Sequence, residues 1–229
     1  VKRYQTSDWL IPGSLLLLAI LPMVGGAHRV AELIVGARIT EANARFFAAP
    51  LPIMLHVISC SVYFILGAFQ FSPKFRRSNP AWHRAAGRVL IPAGLVSAAS
   101  GMWMAAFYPP LFGNGVVITY IRLCVGVAMS IFICLGFVAI RQRAFANHRT
   151  WMIRTYALAI AAGTQPLTLG LAYAVRGNFD EPTYTSGLAA GWLVNMAVAE
   201  WIIRRNRTRS GSHREHMNQN GPDWSRPPP

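Results

Sequence analysis

Two His-Arg dipeptides, His83-Arg84 and His148-Arg149, stand where the chain passes from polar into apolar sequence. Around the first, His83, Arg84, Gly87 and Arg88 fall at i, i+1, i+4 and i+5, which makes one polar stripe on a helix. After the second, Trp151, Met152 and Arg154 follow on the next turn. Imidazoles beside guanidiniums suit two chemistries. Two neutral imidazoles facing each other across about 4 Å of Fe–N bonds, with arginines near the propionates, would ligate haem b. The same cations would equally hold an anionic headgroup, a quinone or a metabolite. A structural reading stands beside both: a salt-bridged belt that locks helices together and grips lipid phosphate. Against haem, both histidines sit at helix starts and not within the apolar runs that usually hold a bis-His haem.

Other polar groups share that level. Gln70 ends one apolar run, while Glu200 and Asn195 lie within the last. A carboxylate at such a depth needs a cation, and Arg84, Arg88 and Arg154 are nearest in level. At the opposite side, His56 and Arg122 each lie about six or seven residues into an apolar run, roughly 10 Å deep. They define a candidate outer site. The competing structural reading has Arg122 snorkelling outward and His56 bonding a backbone carbonyl. No GxGxxG, P-loop, HExxH or paired-carboxylate pattern is present, so no catalytic residue and no metal ligand is assigned and an enzyme is not expected. Asp180-Glu181 reads as a solvated turn before Pro182. Cys60, Cys124 and Cys134 all fall in apolar runs without a CxxC, and read as small hydrophobes.

The elements that must position these residues are membrane spans. Of 229 residues 53% are hydrophobic and 13% charged, against about 25% charged in a soluble domain. The charges gather between long uncharged stretches. Six stretches approach the ~20 apolar residues a span requires: 9–27, 49–71, 89–108, 116–140, 150–175 and 187–203. The expected fold is therefore all-α, an integral membrane bundle of six transmembrane helices over residues 1–203. The first span has the outline of a secretory leader, with Lys2 and Arg3, an apolar centre at Leu15–Leu18 and Gly25-Gly26-Ala27, but is expected to be retained as an anchor.

Orientation follows from Lys and Arg alone. One set of segments carries Lys2, Arg3, Lys74, Arg76, Arg77, Arg84, Arg88, Arg141, Arg143, Arg149, Arg154, Arg204, Arg205, Arg207, Arg209, Arg214 and Arg226, which makes 17 of the 22. The alternate loops carry Arg29, Arg38, Arg45 and Arg176, and Arg122 lies within a span. The bias of 17 to 4 predicts both termini in the cytoplasm (N-in/C-in). The net charge of +14 therefore addresses anionic membrane lipids and not nucleic acid, for which no segment is long enough to build a basic soluble face.

Asn79-Pro80 and Asn147 each read as a cap opening a helix. The loop 28–47 can form an interfacial amphipathic helix using Val30, Leu33, Ile34 and Ile39. Residues 204–229 form an Arg/Pro-rich tail whose composition cannot make a core, and which is expected to be held by a partner subunit.

The stretches "LHVISCSVYFILGAFQFSPKFR", "HRAAGR", "ANHRTWMIRTYALA" and "WLVNMAVAEWIIRR", in this order between Leu55 and Arg205, resemble the bacterial membrane-protein family catalogued as domain of unknown function 2306. The resemblance implies that His56, Gln70, His83, Arg84, Gly87, Arg88, His148, Arg149, Trp151, Met152, Arg154, Asn195 and Glu200 are the family's motif positions. It also implies a bacterial cytoplasmic (inner) membrane. One departure stands out. After the Thr of "AAGT" the resemblance leads one to expect an arginine, where this chain has Gln165-Pro166.

The expectation drawn from these features is a non-enzymatic accessory or structural subunit of a respiratory or photosynthetic type of membrane complex, bound to other membrane-protein subunits partly through its tail. Two alternatives accompany it. One is a haem b electron-transfer protein using His83 and His148, and the other a small transporter or lipid-headgroup binder using Arg84, Arg88, Arg154 and Glu200.

Overall fold

An apolar segment surrounded by hydrocarbon can satisfy its own backbone only by coiling into a helix, and the chain does this repeatedly. A computed structural model describes residues 7–110 and 115–219, and all the regular structure in them is α-helical. Lys2, Arg3 and the Pro-rich end of the tail lie outside the described residues. In chain order the helices are α1 (Ser7–Val35), α2 (Ala44–Ala48), α3 (Pro50–Gln70), α4 (Pro73–Ser78), α5 (Pro80–Phe107), α6 (Val116–Arg141), α7 (Phe145–Arg176) and α8 (Glu181–Gln219). Six of these contain a segment long and apolar enough to cross a membrane: Trp9–Val35, Pro50–Gln70, Pro80–Phe107, Val116–Arg141, Phe145–Arg176 and Glu181–Asn206.

Helices α1, α3, α5, α6 and α7 pack in a ring in that order, closed by α7 against α1, while α8 lies along α7 and touches α6. The ring interior holds Tyr63, Phe64, Met129, Ile133, Tyr156 and Ile160. Tyr63 and Tyr156 stack at 6.0 Å, and the Tyr156 hydroxyl donates to the Phe64 carbonyl at 3.1 Å. Outside, Leu17, Leu21, Leu167, Leu171, Leu193 and Val198 are exposed, while Ser59, Ser97, Ser100, Thr155 and Thr183 are buried. This inversion suits a lipid solvent: aliphatic side chains cost nothing on the outside, and hydroxyls find partners within. Aromatic rings gather at both ends. Trp9, Phe69, Phe75 and Trp82 interlock at the end rich in Lys and Arg, here called the basic end, and Phe46, Trp103, Phe107 and Tyr108 at the other.

Where association cannot draw on the hydrophobic effect, close backbone approach takes its place. Gly163 of α7 lies on the Leu18 carbonyl of α1, and Gly67 of α3 lies on the Tyr156 ring; a Cβ at either would overlap its neighbour.

Several local expectations resolve differently. Pro80 opens α5 as anticipated, but the Asn79 side chain turns back to donate to the Phe75 carbonyl at 3.3 Å, closing α4 instead of capping α5. Asn147 is no cap either. The turn after α6 passes through Arg143 at φ 58°, so α7 begins at Phe145 and Asn147 is already inside it. The loop after the first span is not an amphipathic helix: α1 runs through Gly25-Gly26 to Val35, then turns at Gly36 with φ 63°. Asn43, buried, ties the remaining loop by accepting from Thr40 N at 2.7 Å and donating to the Arg38 carbonyl at 3.1 Å. Asp180 caps α8, its Oδ1 accepting from Thr183 N at 2.9 Å, and that bonding holds its carboxyl below the usual range. Helix α8 runs through residue 204 without a break, carrying the start of the arginine-rich stretch as helix to Gln219.

The glycine contacts yield a test. Gly163→Ala places a methyl group against backbone that cannot rotate away, and should lower stability by about 1–3 kcal/mol. Gly170→Ala on the same helix, with nothing within 4 Å, should cost nothing or stabilise slightly. Thermal unfolding of both variants in mild detergent checks the contrast, and equal losses would refute the close-approach account.

Candidate functional site

Three polar links climb the seam between α7 and α8. Nearest the basic end Arg154 grips Glu200 in a fork, Nε donating to Oε1 at 2.5 Å and Nη2 to Oε2 at 3.0 Å. The Arg154 guanidinium also lies over the Trp151 ring, 4.8 Å from its centre. Farther along, Asn195 Nδ2 donates to Thr164 Oγ1 and to the Gly191 carbonyl, both at 2.8 Å. Next, Gln165 Nε2 donates to the Leu188 carbonyl at 3.3 Å. Of the arginines the sequence offers to Glu200, the fold selects Arg154. Arg84 and Arg88 are exposed on α5, which packs between α3 and α6. Gln165, at the position where an arginine was expected, is engaged within the seam.

A different cluster forms where α4, α5 and α7 meet the basic end. Ser72 starts α4 by accepting from Phe75 N at 3.3 Å, and Phe75 then packs on Trp82 with ring centres 4.7 Å apart. This clamp holds α4 against the start of α5 and sets Arg76 within electrostatic reach of His83 and Arg149. His148 is close enough to His83 for their charges to interact as well. The His148 Nδ1–H donates to the Gly136 carbonyl at 2.8 Å, leaving Nε2 as an acceptor or ligand. Of four buried side-chain atoms without a hydrogen-bond partner among the described residues, His83 Nδ1 lies in this cluster and Gln70 Nε2 at the last residue of α3, while Arg45 Nε and Thr185 Oγ1 lie toward the other end. Burial, compounded by the positive charges of Arg149 and Arg77, pushes the Arg76 guanidinium below its usual pKa. An arginine does not deprotonate under such conditions; the shift expresses an unfavourable energy that an anion would relieve. Among the described side chains at this end Glu200 is the one carboxylate, and Arg154 occupies both its oxygens.

The outer pair does not close on itself. His56 Nδ1 bonds the Ser97 carbonyl at 3.0 Å and Ser100 Oγ at 3.2 Å on α5, while Arg122 Nη2 donates to the Tyr184 hydroxyl on α8 at 3.2 Å. Arg45, over the Phe46 ring at 4.7 Å, is pushed below its usual pKa by burial and by nearby Arg122. Arg76 and Cys60 escaped the sequence reading as site residues, whereas Arg149 stood in it as half of a His-Arg pair. The i, i+4 spacing of His56 and Cys60 was available there, whereas the meeting of Arg76 with Arg149 depends on how α4 folds back.

Fold and polar layers together define a polytopic α-helical membrane protein with a largely apolar core and a cationic layer at one end. Residues 53–203 match the family model described as "Predicted membrane protein (DUF2306)", and the chain belongs to that family. No curated protein and no solved structure matches it.

The forked pair makes a direct prediction. Glu200→Ala strands a guanidinium at the seam and should lower stability by about 1–3 kcal/mol. Adding Arg154→Ala to that variant should cost little more, because the stranded charge is then gone. Thermal unfolding of the single and double variants in mild detergent measures the coupling; losses that simply add would show that the two residues act separately.

Proposed function

We propose that this protein binds an anionic group, a phosphate or carboxylate presented by a lipid headgroup or a small metabolite, in the cationic cluster at its basic end. One observation carries the reading. Arg76 and Arg149 are within electrostatic reach of each other without an ion pair among the described residues, while His83 Nδ1, within reach of Arg76, is buried without a partner, as is Gln70 Nε2 at the end of α3. Like charges and orphaned polar atoms gathered in one place are costly unless a ligand completes them. An oxyanion offers acceptors to both guanidiniums in the forked geometry arginine favours. His83 contributes an N–H wherever its tautomer puts one.

The same proposal sets the basic end and both termini in the cytoplasm of a bacterium, at its inner membrane, on the strength of the 17-to-4 distribution of Lys and Arg. That leaflet surface is where anionic headgroups attract polybasic segments.

A second reading, an accessory subunit of a larger membrane complex, draws support from α8. Its 39 residues continue about 20 Å beyond Asn206 as a helix that starts with exposed Arg204 and Arg205. Such an arm would suit a partner subunit. The haem b reading draws on His148 alone, whose Nδ1 bond to Gly136 orients Nε2 as second-shell bonds orient a ligating imidazole.

Thermal unfolding in nanodiscs distinguishes these. Phosphatidylglycerol in place of phosphatidylcholine should raise the transition, with about 2.7 kcal/mol of stabilisation where ligand stands at 100 times Kd. Inorganic phosphate and a dicarboxylate, added to phosphatidylcholine discs, form the small-anion arm. Arg76→Gln combined with Arg149→Gln should abolish whichever response occurs. No response in either arm, or an undiminished one in the double variant, would sink the proposal. A reduced-minus-oxidised spectrum of protein taken gently from its native membrane should be featureless; a haem b band lost in His83→Ala and His148→Ala would replace the anion with haem.

A further inference from the structure

Near the middle of α3, away from the cationic cluster, an imidazole and a thiol face each other. His56 and Cys60 are four residues apart, so they share one helical face, and that face meets the small residues Ser97, Ser100 and Gly101 of α5. A Cβ at Gly101 would come within 3.1 Å of His56 Cε1, so the gap fits the ring.

The hydrogen bonds determine which nitrogen carries the proton. The Ser97 carbonyl, 3.0 Å from Nδ1, can only accept. The Ser100 hydroxyl spends its hydrogen on the Val96 carbonyl at 2.6 Å, so it too accepts from Nδ1, at 3.2 Å. Nδ1 therefore bears the hydrogen, and the lone pair of Nε2 points to Cys60 Sγ, 3.5 Å away. On its other side the sulfur lies 2.9 Å from Ser97 Oγ. A base is in contact with a thiol, a carbonyl orients the base, and a hydroxyl stands ready to stabilise the thiolate. This is the arrangement of an activated sulfur nucleophile.

We infer that Cys60 is a reactive thiol that lipid-soluble hydroperoxides oxidise, with His56 as its base and Ser97 as the residue that positions both. Residue 60 lies at mid-length in α3, so its reagents must be apolar. In the reaction His56 Nε2 takes the thiol proton and the thiolate attacks the terminal peroxide oxygen. The S–O bond forms as the O–O bond breaks, and His56 returns the proton to the departing alkoxide. Sulfur is oxidised to the sulfenic acid and the hydroperoxide is reduced to its alcohol.

The chain carries its own controls. Cys124 and Cys134, on α6, are exposed, and neither makes a hydrogen bond among the described residues; Cys60 is the less exposed of the three. If access alone governed reactivity, Cys60 would be the slowest. The full chain in membrane vesicles is treated with cumene hydroperoxide, then denatured, alkylated with N-ethylmaleimide and digested. Peptide mass spectrometry then gives the loss of free thiol at each cysteine. The expected result is loss at Cys60 at least tenfold faster than at Cys124 or Cys134, falling to their rate or below in His56→Gln. A Cys60 rate in the unsubstituted protein equal to or below the other two overturns the inference without any variant. An unchanged rate in a folded His56→Gln protein overturns the role of the base. Ser97→Ala, which keeps the carbonyl and removes the hydroxyl, should slow Cys60 several-fold while leaving Cys124 and Cys134 unchanged.

Discussion

Arg154 carries a permanent charge into a helix seam, and in hydrocarbon nothing but a neighbouring side chain can accept it. Glu200 does so, and in doing so sets the register of α8 on α7: with the fork closed, Asn195 falls opposite Thr164, and Gln165 opposite the Leu188 carbonyl. Helix α7 is thereby committed on one side. Its remaining surface closes the ring, receiving Leu18 of α1 at Gly163 and reaching α3 and α6 through Tyr156 and Met152. A seam joined at three heights slides less readily than one joined only by dispersion, because any shift strands several polar groups at once.

Against that satisfied seam the basic end is unusual. The aromatic clamp of Trp9, Phe69, Phe75 and Trp82 holds α4 in place, and the consequence is an arginine brought toward another cation instead of an anion. The clamp is apolar and holds the backbone of α4, so the helix that carries Arg76 cannot move away from α5 without breaking ring contacts. Polar groups in this protein thus divide into those that the fold completes, along the Arg154–Glu200, Asn195–Thr164 and Gln165–Leu188 links and around His56, and those it leaves for something else to complete. The second set lies at both ends, His83 Nδ1 and Gln70 Nε2 toward the basic one and Arg45 Nε and Thr185 Oγ1 toward the other; only the basic end adds the Arg76–Arg149 cluster beside them.

Much of this was legible in the sequence, and the legible part follows from solvent. Apolar runs separated by basic segments mark the helices, and Pro80 marks a helix start because it lacks the hydrogen that a first turn leaves unused. Arg154 and Glu200 were identifiable because charge inside an apolar run is rare, and His83 and His148 because each stands beside an arginine at the edge of such a run. The choice among Arg84, Arg88 and Arg154 was not. All three share a depth, but only one lies on the helix next to α8. Asn147 misled for a related reason, since its capping chemistry is real but Arg143 in a left-handed conformation starts the helix earlier. Cys60 was read as a small hydrophobe because its partner Ser97 is far away in sequence and reaches it only when α5 packs on α3.

By itself, then, the sequence determined that the chain is all-helical, which segments run through the membrane, and which polar residues sit at each depth. These are properties of one helix against its solvent, written in local composition. Which arginine meets Glu200, which atoms stay without partners beside Arg76, and which nitrogen of His56 faces a thiol were decided only by the tertiary structure. Each depends on the rotation of one helix against another, and depth along a helix axis carries no information about that angle.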